Sequence, residues 1–371
     1  MLRFCADVRM INNSGIGVYI RQYIRHILAS AKYDVTLLGR RPDLDKHFGE
    51  YTNWQFIEAD FPIYSVQEQL RLPLMVPSCD VFWSPHYNIP LLPVRARRHL
   101  ATVPDVFHLA YYHTLSAAQK VYAKVVANAA VRKPNLVSTI SDYSKKEIIE
   151  LTGATAEKIR VIHLGIDQNL FRPITDTEQQ RSVKERYQLP DRYVLFVGNV
   201  KPNKNLSSLV EAFAMLIDEI DSLDLLIVGK KEGFITADSS LFHRIESNTA
   251  LARRVHFTGY VETADLPVLY SMAHLFAFPS LYEGFGFPPL EAMACGCPVV
   301  ASHVTSIPEI CGDAVQYVDP MDTRNIADGL RAVATDSTLR SRLVSAGDQQ
   351  YRQYNWNDSA VAFTNLIESL A

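Results

Sequence analysis

Short apolar segments alternate with polar turns and amphipathic helical segments along both halves of the chain. A strand pattern, a polar turn and a helical pattern follow one another from residue 2, and the same succession starts again near residue 193. This alternation is typical of parallel sheets with helices on both faces. Because 371 residues are too many for one ordinary core, the sequence predicts an α/β fold of two Rossmann-like, doubly wound domains.

The predicted elements follow the hydrophobic spacing of each stretch. In the first half, strands are predicted at Leu2–Val8, Val35–Leu38, Val81–Ser84, Leu100–Val103 and Leu136–Ile140, and helices at Val18–Ala29 and Leu115–Lys133. In the second half, strands are predicted at Tyr193–Val197, Leu223–Val228, Val255–Phe257 and Leu275–Phe278, and helices after Asn205, at Leu266–Ala273 and at Pro289–Ala294. Asn205 is expected to act as an N-cap, and Ser144 with Glu147 as a capping box for a helix that ends near Gly153.

The domain bounds are predicted from the point where the alternation of strands and helices begins again in the second half of the chain. We expect an N-terminal domain over residues 1–172 and a C-terminal domain over residues 173–354. A last helix over residues 355–371 is expected to pack back on the first domain. The charged, glutamine-rich stretch Thr175–Lys184 is interpreted as the connection between the domains.

Composition restricts the class of protein. The formal net charge is -3, which gives no indication of a nucleic-acid partner, and no apolar run is long enough for a membrane span. The first residues are too quickly polar for a signal peptide. The five cysteines have no zinc spacing and are interpreted as reduced core residues, so we expect a cytoplasmic protein; a redox or metal role for the Cys295/Cys297 pair is the alternative.

Two carboxylates flank a glycine-rich turn in the stretch SLYEGFGFPPLEAMACGCPVVAS, which begins at Ser280. Glu283 precedes the turn, and Pro289 is predicted to begin a helix with Glu291 in its first turn. Glycines allow close approach of the backbone to a ligand, and a helix N-terminus attracts anions. Glu291 either accepts hydrogen bonds from a vicinal diol such as a ribose or only complements the helix dipole. Glu283 serves no helix, so a ligand contact is favoured over a solvated loop position.

The turn GNVKPNKN lies between a strand and a helix and carries Lys201 and Lys204. Two cations at a helix N-terminus oppose the helix dipole, which is locally unfavourable. A diphosphate bound between them would make the arrangement favourable. The alternative is that both lysines point into water.

The first domain has three turns that could contact a ligand. Gly15 and Gly17 form a turn without the third glycine of a dinucleotide fingerprint, and no acidic residue ends the next strand, which argues against a nicotinamide cofactor. This turn either approaches a phosphate or sugar or is only a tight turn. Asp105 and His108 follow one buried strand and His86 follows another, so all three are candidates for polar or acid–base roles at the ligand-binding edge of the sheet.

These segments together resemble the retaining glycosyltransferases of family 4, which have the GT-B fold, and in particular bacterial mannosyltransferases of surface polysaccharide synthesis. Glu283 to Glu291 matches the E-x7-E motif of that family. Further similar segments follow in the family's order over nearly the whole chain, namely SGIGVYIRQYI, SPHYNIPLLP, STISDYSKKEI, KIRVIHLGID, YVLFVGNVKPNKNL, VHFTGYV and ACGCPVVAS. The resemblance implies two domains that face a central cleft.

The resemblance also implies roles for individual residues. Glu291 would bind the donor ribose, Glu283 the hydroxyls of the transferred sugar, and Lys204 the diphosphate. The implied donor-binding residues are Gly15, Gly17, Asn199, Lys201, Lys204, Tyr260, Glu283, Gly284, Phe285, Gly286, Phe287, Leu290 and Glu291. The implied catalytic residues are Glu283, Lys204 and Asp105. We add His108 and His86 as catalytic candidates because of their positions after buried strands.

The chain departs from the family pattern before Asp105. Many family members carry a histidine there that contacts the donor sugar, and this chain has Pro104. His108 and His86 are both hypotheses for the replacement. The first position of the lysine turn, often arginine in the family, is Asn199.

No metal and no cofactor are expected. Lys201, Lys204 and helix N-terminal amides would stabilise the leaving diphosphate. Asp43-Leu44-Asp45 has the spacing of a metal-binding Asp-x-Asp motif, but it is interpreted as part of a solvated polar loop with no buried strand before it.

The expected activity is transfer of a hexose, with mannose from GDP-mannose preferred, to a saccharide or lipid-linked saccharide acceptor in polysaccharide or O-antigen synthesis. The stretches Val94–His99 and Lys120–Lys133 are basic, and one interpretation is that they dock on an anionic membrane surface, at its inner face. For most of Lys120–Lys133, an ordinary half-buried helix is favoured. Other hexose donors stay open. The alternatives in function are a nucleotide-sugar epimerase or phosphorylase of the same fold and a non-catalytic nucleotide-sugar-binding subunit.

Overall fold

The structure, a computed structural model, describes residues 1–13, 15–111, 117–229 and 239–371. The chain divides into two compact units. The first comprises Met1–Gly165 and Trp356–Ala371, and the second comprises Ile166–Asn355.

The first unit contains a parallel seven-stranded sheet with the strand order β3-β2-β1-β4-β5-β6-β7. Its strands are β1 (Leu2–Asp7), β2 (Tyr33–Gly39), β3 (Trp54–Glu58), β4 (Cys79–Ser84), β5 (Ala96–Thr102), β6 (Leu136–Thr139) and β7 (Ile159–Val161). Its helices are α1 (Ile16–Ser30), α2 (Arg41–Phe48), α3 (Val66–Met75), α4 (Phe107–Ala110), α5 (Ala117–Arg132) and α6 (Asp142–Thr152), joined by the later α16 (Trp356–Glu368).

The second unit contains a parallel six-stranded sheet with the strand order β10-β9-β8-β11-β12-β13. Its strands are β8 (Tyr193–Val197), β9 (Asp224–Val228), β10 (Val255–Gly259), β11 (Leu275–Phe278), β12 (Val299–Ser302) and β13 (Val315–Val318). Its helices are α7 (Thr177–Tyr187), α8 (Leu206–Ala214), α9 (Ser239–Ser247), α10 (Thr249–Arg254), α11 (Leu266–Met272), α12 (Phe287–Ala294), α13 (Ile307–Cys311), α14 (Thr323–Thr335) and α15 (Ser337–Tyr351).

The prediction of two Rossmann-like, parallel-sheet domains is confirmed. In both sheets the central strands are near-continuous apolar runs, as expected for strands that helices cover on both faces. In the second unit, α8 and α14 pack against the sheet through fully buried residues such as Leu209, Phe213 and Leu330. All five cysteines are buried and free. Among the described residues, the structure contains no helix with the length and apolarity that crossing a membrane requires.

Several predictions about elements were wrong. The cap of α6 is Ser141, whose side chain accepts from the Ser144 amide, so Ser144 lies inside the first turn. The helix ends at Gly153 as expected, in the left-handed conformation. Thr175–Lys184 is not a connection between domains, because most of it forms α7 inside the second unit.

Two motifs also lie in a different local structure from the one predicted. Asp43 and Asp45 lie in α2, directly after β2, rather than in a polar loop, and Asp45 pairs with Arg41 at 2.8 Å. The helix α12 begins at Phe287, which places Glu291 beyond its first turn. Among the described elements, the unpredicted ones are the strands β3, β7 and β13 and the helices α2, α3, α4, α7, α9, α10, α13, α14 and α15. Leu115, the expected start of α5, lies outside the described residues.

In each sheet, the strands that follow in sequence are added first on one side of the first strand and then on the other. The resulting switch point lies between β1 and β4 in the first unit and between β8 and β11 in the second. In doubly wound folds, ligands bind beyond the carboxyl ends of the strands at such a switch point. The loops that follow β8 and β11 carry the lysine turn and the glycine-rich turn. The loops that follow β1 and β4 carry Gly15 and His86.

Candidate functional site

An ion pair joins the two loops at the switch point of the second sheet. Lys204, which follows β8, places its Nζ 2.5 Å from Oε1 of Glu283, which follows β11. Both side chains are mostly buried, and the ammonium also lies 5.5 Å from the centre of the Phe278 ring. Two of the residues that the sequence singled out from different motifs therefore meet at one point.

The lysine turn is fixed by side-chain amides rather than by a helix cap. Asn205 precedes α8, as expected for an N-cap, but its backbone is left-handed, with a φ of 58°, and its side chain caps no amide. Its Nδ2 instead donates to the carbonyls of Pro279 (3.1 Å) and Pro320 (2.7 Å). Asn203 donates to the carbonyl of Tyr282 in the opposite loop. The position of Lys204 is therefore held by contacts that cross between the loops.

Glu283 is held by the loop after β12, which sequence reasoning missed. Its amide donates to Oγ1 of Thr305 at 3.3 Å. The hydroxyl of Ser306 donates to the carbonyls of both Glu283 and Phe285, each at 2.9 Å. Thr305 has a φ of 60°, which is rare for a β-branched residue. Backbone strain of this kind is not visible in a sequence.

The glycine-rich turn leads directly into α12. Gly286 has a φ of 120°, a conformation that favours glycine, and it precedes the first residue of the helix. Gly284 and Phe285 are buried, Phe287 is half-buried, and the two phenylalanine rings lie 5.4 Å apart. Leu290 is fully buried.

Glu291 lies on α12 in an environment that favours its neutral form. Its Oε2 accepts a hydrogen bond from the hydroxyl of Tyr270, a fully buried residue of α11, at 2.9 Å. Burial raises the pKa of Glu291 to about 7, and the hydrogen bond from Tyr270 opposes this rise. A perturbed carboxyl beside a ligand-binding edge is a candidate for function.

The remaining candidates of the second unit lie at the surface. Asn199 and Lys201 are exposed in the lysine turn. Tyr260 follows the edge strand β10 and is 61% exposed, with its hydroxyl 3.5 Å from Oε2 of Glu262. The order of the strands separates Tyr260 from β8 by β9.

In the first unit, the two glycines shape the start of α1. Gly15 precedes the helix with a φ of 72°. A Cβ on Gly17 would lie 2.2 Å from the carbonyl oxygen of Ile11, so only glycine allows this approach of the loop to the helix. The side chain of Arg21 donates to the same carbonyl at 2.5 Å.

Both candidate histidines contact one tyrosine ring. The ring of His86 lies 4.0 Å from the centre of the Tyr87 ring, and the ring of His108 lies 5.5 Å from it. His86 is buried, which lowers its pKa to about 3, with a smaller effect of the nearby His108 in the same direction. His108 is exposed, and Asp105 accepts a hydrogen bond from the Phe107 amide at 3.0 Å.

A buried charge network near His86 was not predicted from the sequence. Arg9 forms ion pairs with Asp7 at 2.6 Å and with Glu68 at 2.5 Å, and the Glu68 side chain is 1% exposed. Desolvation acts against the charge of Arg9, but the two carboxylates outweigh it and raise its pKa. Glu68 also accepts from the amide of Tyr64 at 2.8 Å and from the side chain of Asn88. These contacts connect the loops that follow β1, β3 and β4.

Two family profiles match the chain. Residues 177–350 match Glycosyl transferases group 1, and residues 13–170 match Glycosyltransferase Family 4. Each match covers most of one unit.

Similar proteins are found among bacterial enzymes. The chain is 33% identical over 282 residues to O-antigen chain mannosyltransferase B of Escherichia coli, covering 75% of this chain and 72% of that protein. It is 28% identical over 271 residues to O-antigen chain mannosyltransferase RfbU of Salmonella typhimurium, covering 73% and 69%. The crystal structure of Anabaena HepE in complex with UDP and glucose has the same fold, with a TM-score of 0.78, 100% coverage of both chains and 19% identity.

Proposed function

Because this chain belongs to the glycosyltransferases of family 4, which have the GT-B fold, we propose that it transfers mannose from GDP-mannose with retention of configuration. The acceptor in this proposal is a saccharide or lipid-linked saccharide of O-antigen or related polysaccharide synthesis. The preference for mannose is supported by the two O-antigen mannosyltransferases of similar sequence. The nucleoside diphosphate part of the donor is supported by the UDP that HepE binds.

The observation that carries the proposal is the Lys204–Glu283 ion pair at the switch point of the second sheet. In the proposed complex, the Lys204 ammonium stabilises the negative charge that develops on the departing diphosphate. A cation that is already oriented in a mostly buried site needs no reorganisation during the reaction. A divalent metal ion is not required for this role, so the proposal includes none.

The two glutamates bind hydroxyl groups in this proposal. Glu283 accepts from hydroxyls of the transferred sugar, and its backbone is held for that purpose by Thr305 and Ser306. Glu291 accepts from the ribose diol. Neither carboxylate attacks the anomeric carbon. The acceptor hydroxyl attacks the anomeric carbon from the face that the diphosphate leaves, the bond to the diphosphate breaks, and the hydroxyl proton passes to the departing phosphate oxygen. This gives retention without a glycosyl-enzyme intermediate and differs from the paired carboxylates of glycosidases.

We further propose that the protein docks on the inner face of an anionic membrane to reach a lipid-linked acceptor. Support comes from α3, where Val66, Leu70 and Leu74 are exposed at four-residue spacing on one side of the helix. Exposed apolar rows beside basic residues are typical of interfacial helices. The neighbouring segment supplies Leu92, which is half exposed, and it also carries exposed arginines, namely Arg95, Arg97 and Arg98.

Replacement of Lys204 tests the function. We expect Lys204→Ala to lower kcat by roughly 10²–10³-fold with GDP-mannose and acceptor, since loss of one preorganised charge contact in a transition state has effects of that size. Lys204→Arg should retain more activity than Lys204→Ala. The measurement is release of GDP and formation of the mannosylated product, with the anomeric configuration of the product read by NMR.

Lys146→Ala provides the control, because Lys146 is an exposed lysine of α6 that pairs only weakly with Glu150, at 4.0 Å. It should leave kcat unchanged. An unaffected rate in Lys204→Ala would refute the charge role, and activity that EDTA abolishes and manganese restores would refute metal independence. Binding of donor without any turnover across a panel of acceptors would favour the non-catalytic binding subunit.

A further inference from the structure

Tyr64 has an unusual backbone and an unusual position. Its φ is 60°, a left-handed value that is common for glycine and rare for bulky residues, and the residue is 42% exposed. Because the ring is only partly buried, its burial stabilises this backbone conformation less than full burial would, and further contacts are needed to hold it. Strained residues of this kind persist where surrounding contacts fix them, and they cluster at ligand-binding sites.

Tyr64 is held by contacts of its backbone amide and of its side-chain hydroxyl. Its amide donates to the buried Glu68 carboxylate at 2.8 Å, and that carboxylate is held in turn by Arg9 and Asn88. Its hydroxyl lies 3.2 Å from Nδ1 of the buried His86. The ring is therefore held in place while a large part of it stays open to solvent.

Tyr64 is part of an aromatic group. Its ring lies 5.9 Å from that of Tyr87 at an interplanar angle of 27°, and Tyr87 is packed against His86. Burial keeps the pKa of His86 low, so its ring is neutral at physiological pH and can exchange hydrogen bonds without charge. An apolar face with a few fixed polar groups is typical of small-molecule sites.

The group lies at the ligand-binding edge of the first sheet. Tyr64 follows β3, His86 and Tyr87 follow β4, and Asp7 at the end of β1 anchors Arg9. The switch point between β1 and β4 is therefore spanned by the network that holds Tyr64.

We propose that the Tyr64 ring, supported by Tyr87 and His86, is a stacking platform for a pyranose ring of the acceptor saccharide, an assignment that rests on the proposed transfer to a saccharide. The apolar C–H face of a pyranose packs on an aromatic face, and the hydroxyls at its rim pair with the fixed polar groups. Because Glu68 and His86 already fix the tyrosine, little side-chain freedom is lost on binding.

The test compares Tyr64→Ala, Tyr64→Phe and Tyr64→Gly in the full chain. We expect Tyr64→Ala and Tyr64→Gly to raise the acceptor KM about three- to tenfold, the order of one aromatic stacking contact. Tyr64→Phe keeps the ring and should raise it less. The Kd for GDP should stay unchanged in all three variants. Tyr64→Gly loses the same ring contacts as Tyr64→Ala but removes the backbone strain, so its Tm should lie above that of Tyr64→Ala while the acceptor KM rises equally in both. This comparison separates loss of the platform from loss of folding.

Gln188→Gly is the matched control, because Gln188 is an exposed residue with a φ of 52° at the end of α7. It should leave the acceptor KM unchanged. An acceptor KM within twofold of the unaltered protein in Tyr64→Ala would overturn the platform.

A direct binding measurement separates this proposal from the proposed function. A mannose trisaccharide is titrated by NMR into the unaltered protein and into Tyr64→Ala. Weaker binding in the variant supports the platform even if no donor is turned over, in which case only the transferase proposal fails. No binding to the unaltered protein, or equal binding to both proteins, would overturn the platform even if mannose transfer is observed.

Discussion

At the scale of single residues, the proposed contact of Glu291 with the donor ribose makes GDP binding depend on the protonation of this carboxyl group. A carboxyl group that is shielded from water is more easily protonated, because its charged form is no longer hydrated. Burial raises the pKa of Glu291 from 4.5 to about 7, so the free protein contains both protonation states at neutral pH. A ribose diol donates hydrogen bonds, and a carboxylate accepts them better than a carboxylic acid does.

We therefore expect the affinity for GDP to rise between pH 6 and pH 8. The ionised fraction of Glu291 grows from about 0.1 to about 0.9 over this range, which allows an increase in affinity of up to about tenfold. Glu291→Gln should bind GDP weakly with a flat profile. Tyr270→Phe removes the hydrogen bond that lowers the pKa and should move the midpoint upward. Isothermal titration calorimetry at several pH values measures this, and an identical profile in Glu291→Gln would contradict it.

The stability of the free protein should change with pH in the opposite direction. Because the folded state binds the Glu291 proton more tightly than the unfolded state, the contribution of this group to the free energy of unfolding falls as the pH rises from 4.5 to about 7. A gain in affinity between pH 6 and pH 7, where the two ranges overlap, is therefore not a consequence of better folding.

The sequence predicts residues whose chemistry is visible in their type and spacing. Lys204 and Glu283 were singled out from two turns, and the structure brings them together. Tyr64 and Thr305 were not predicted, because a positive φ at a residue other than glycine is imposed by tertiary contacts. Glu68 had a local signal, since Ser65 and Glu68 have capping-box spacing, but its carboxylate binds Arg9 and the Tyr64 amide.

At the scale of elements, α3 has an apolar side that is exposed and is not buried in the core of the first unit. Leu72 and Glu68 are buried on the side that faces the sheet, whereas Val66, Leu70 and Leu74 are between 58% and 77% exposed. The side chain of Gln69 forms hydrogen bonds with the backbone at residues 89 and 91. The chain that leads to Arg95, Arg97 and Arg98 therefore starts beside the helix. An amphipathic helix of this kind can insert its apolar side at the boundary of head groups and acyl chains.

We expect the double variant Leu70→Glu/Leu74→Glu to bind phosphatidylglycerol vesicles at least about tenfold more weakly, because each inserted leucine contributes roughly 1–2 kcal/mol. Co-sedimentation measures the binding. High salt should weaken the binding of the unaltered protein, because part of it is electrostatic. Leu151→Glu on α6 is the control, since Leu151 is also exposed but lies outside this face. Equal binding of the double variant and the unaltered protein would refute docking through α3.

Element boundaries were predicted best where one local signal dominates. The strands β8 and β11 have the predicted limits, because both are continuous apolar runs between turns. The helix α7 was missed because ten of its eleven residues are polar or exposed and only Val183 is buried. The start of α12 was misplaced because Phe287 and Pro288 continue the helix on the N-terminal side of Pro289, where proline is tolerated.

At the scale of the whole molecule, the first unit is completed by the last helix of the chain. The ring of Phe363 in α16 stacks on Tyr23 of α1 at 4.3 Å and 12°, and it lies 4.6 Å from the ring of Trp83 in β4. Tyr23 and Ser359 share a hydrogen bond of 2.9 Å, and Tyr33 donates to Glu368 at 2.9 Å. Residues separated by more than three hundred positions therefore form one core.

Replacement of Phe363 should destabilise the first unit selectively. Phe363 is fully buried, and Phe363→Ala leaves a cavity among aromatic rings, for which a loss of about 3–5 kcal/mol is expected. Hydrogen exchange should become faster in peptides from α1 and β4, whereas peptides from β8 and β9 in the second unit keep their protection. Val361→Ala, at a 40% exposed position of the same helix, should change neither. Equal loss of protection in both units would mean that the units unfold as one, and no loss in α1 would mean that α16 contributes little to the core of the first unit.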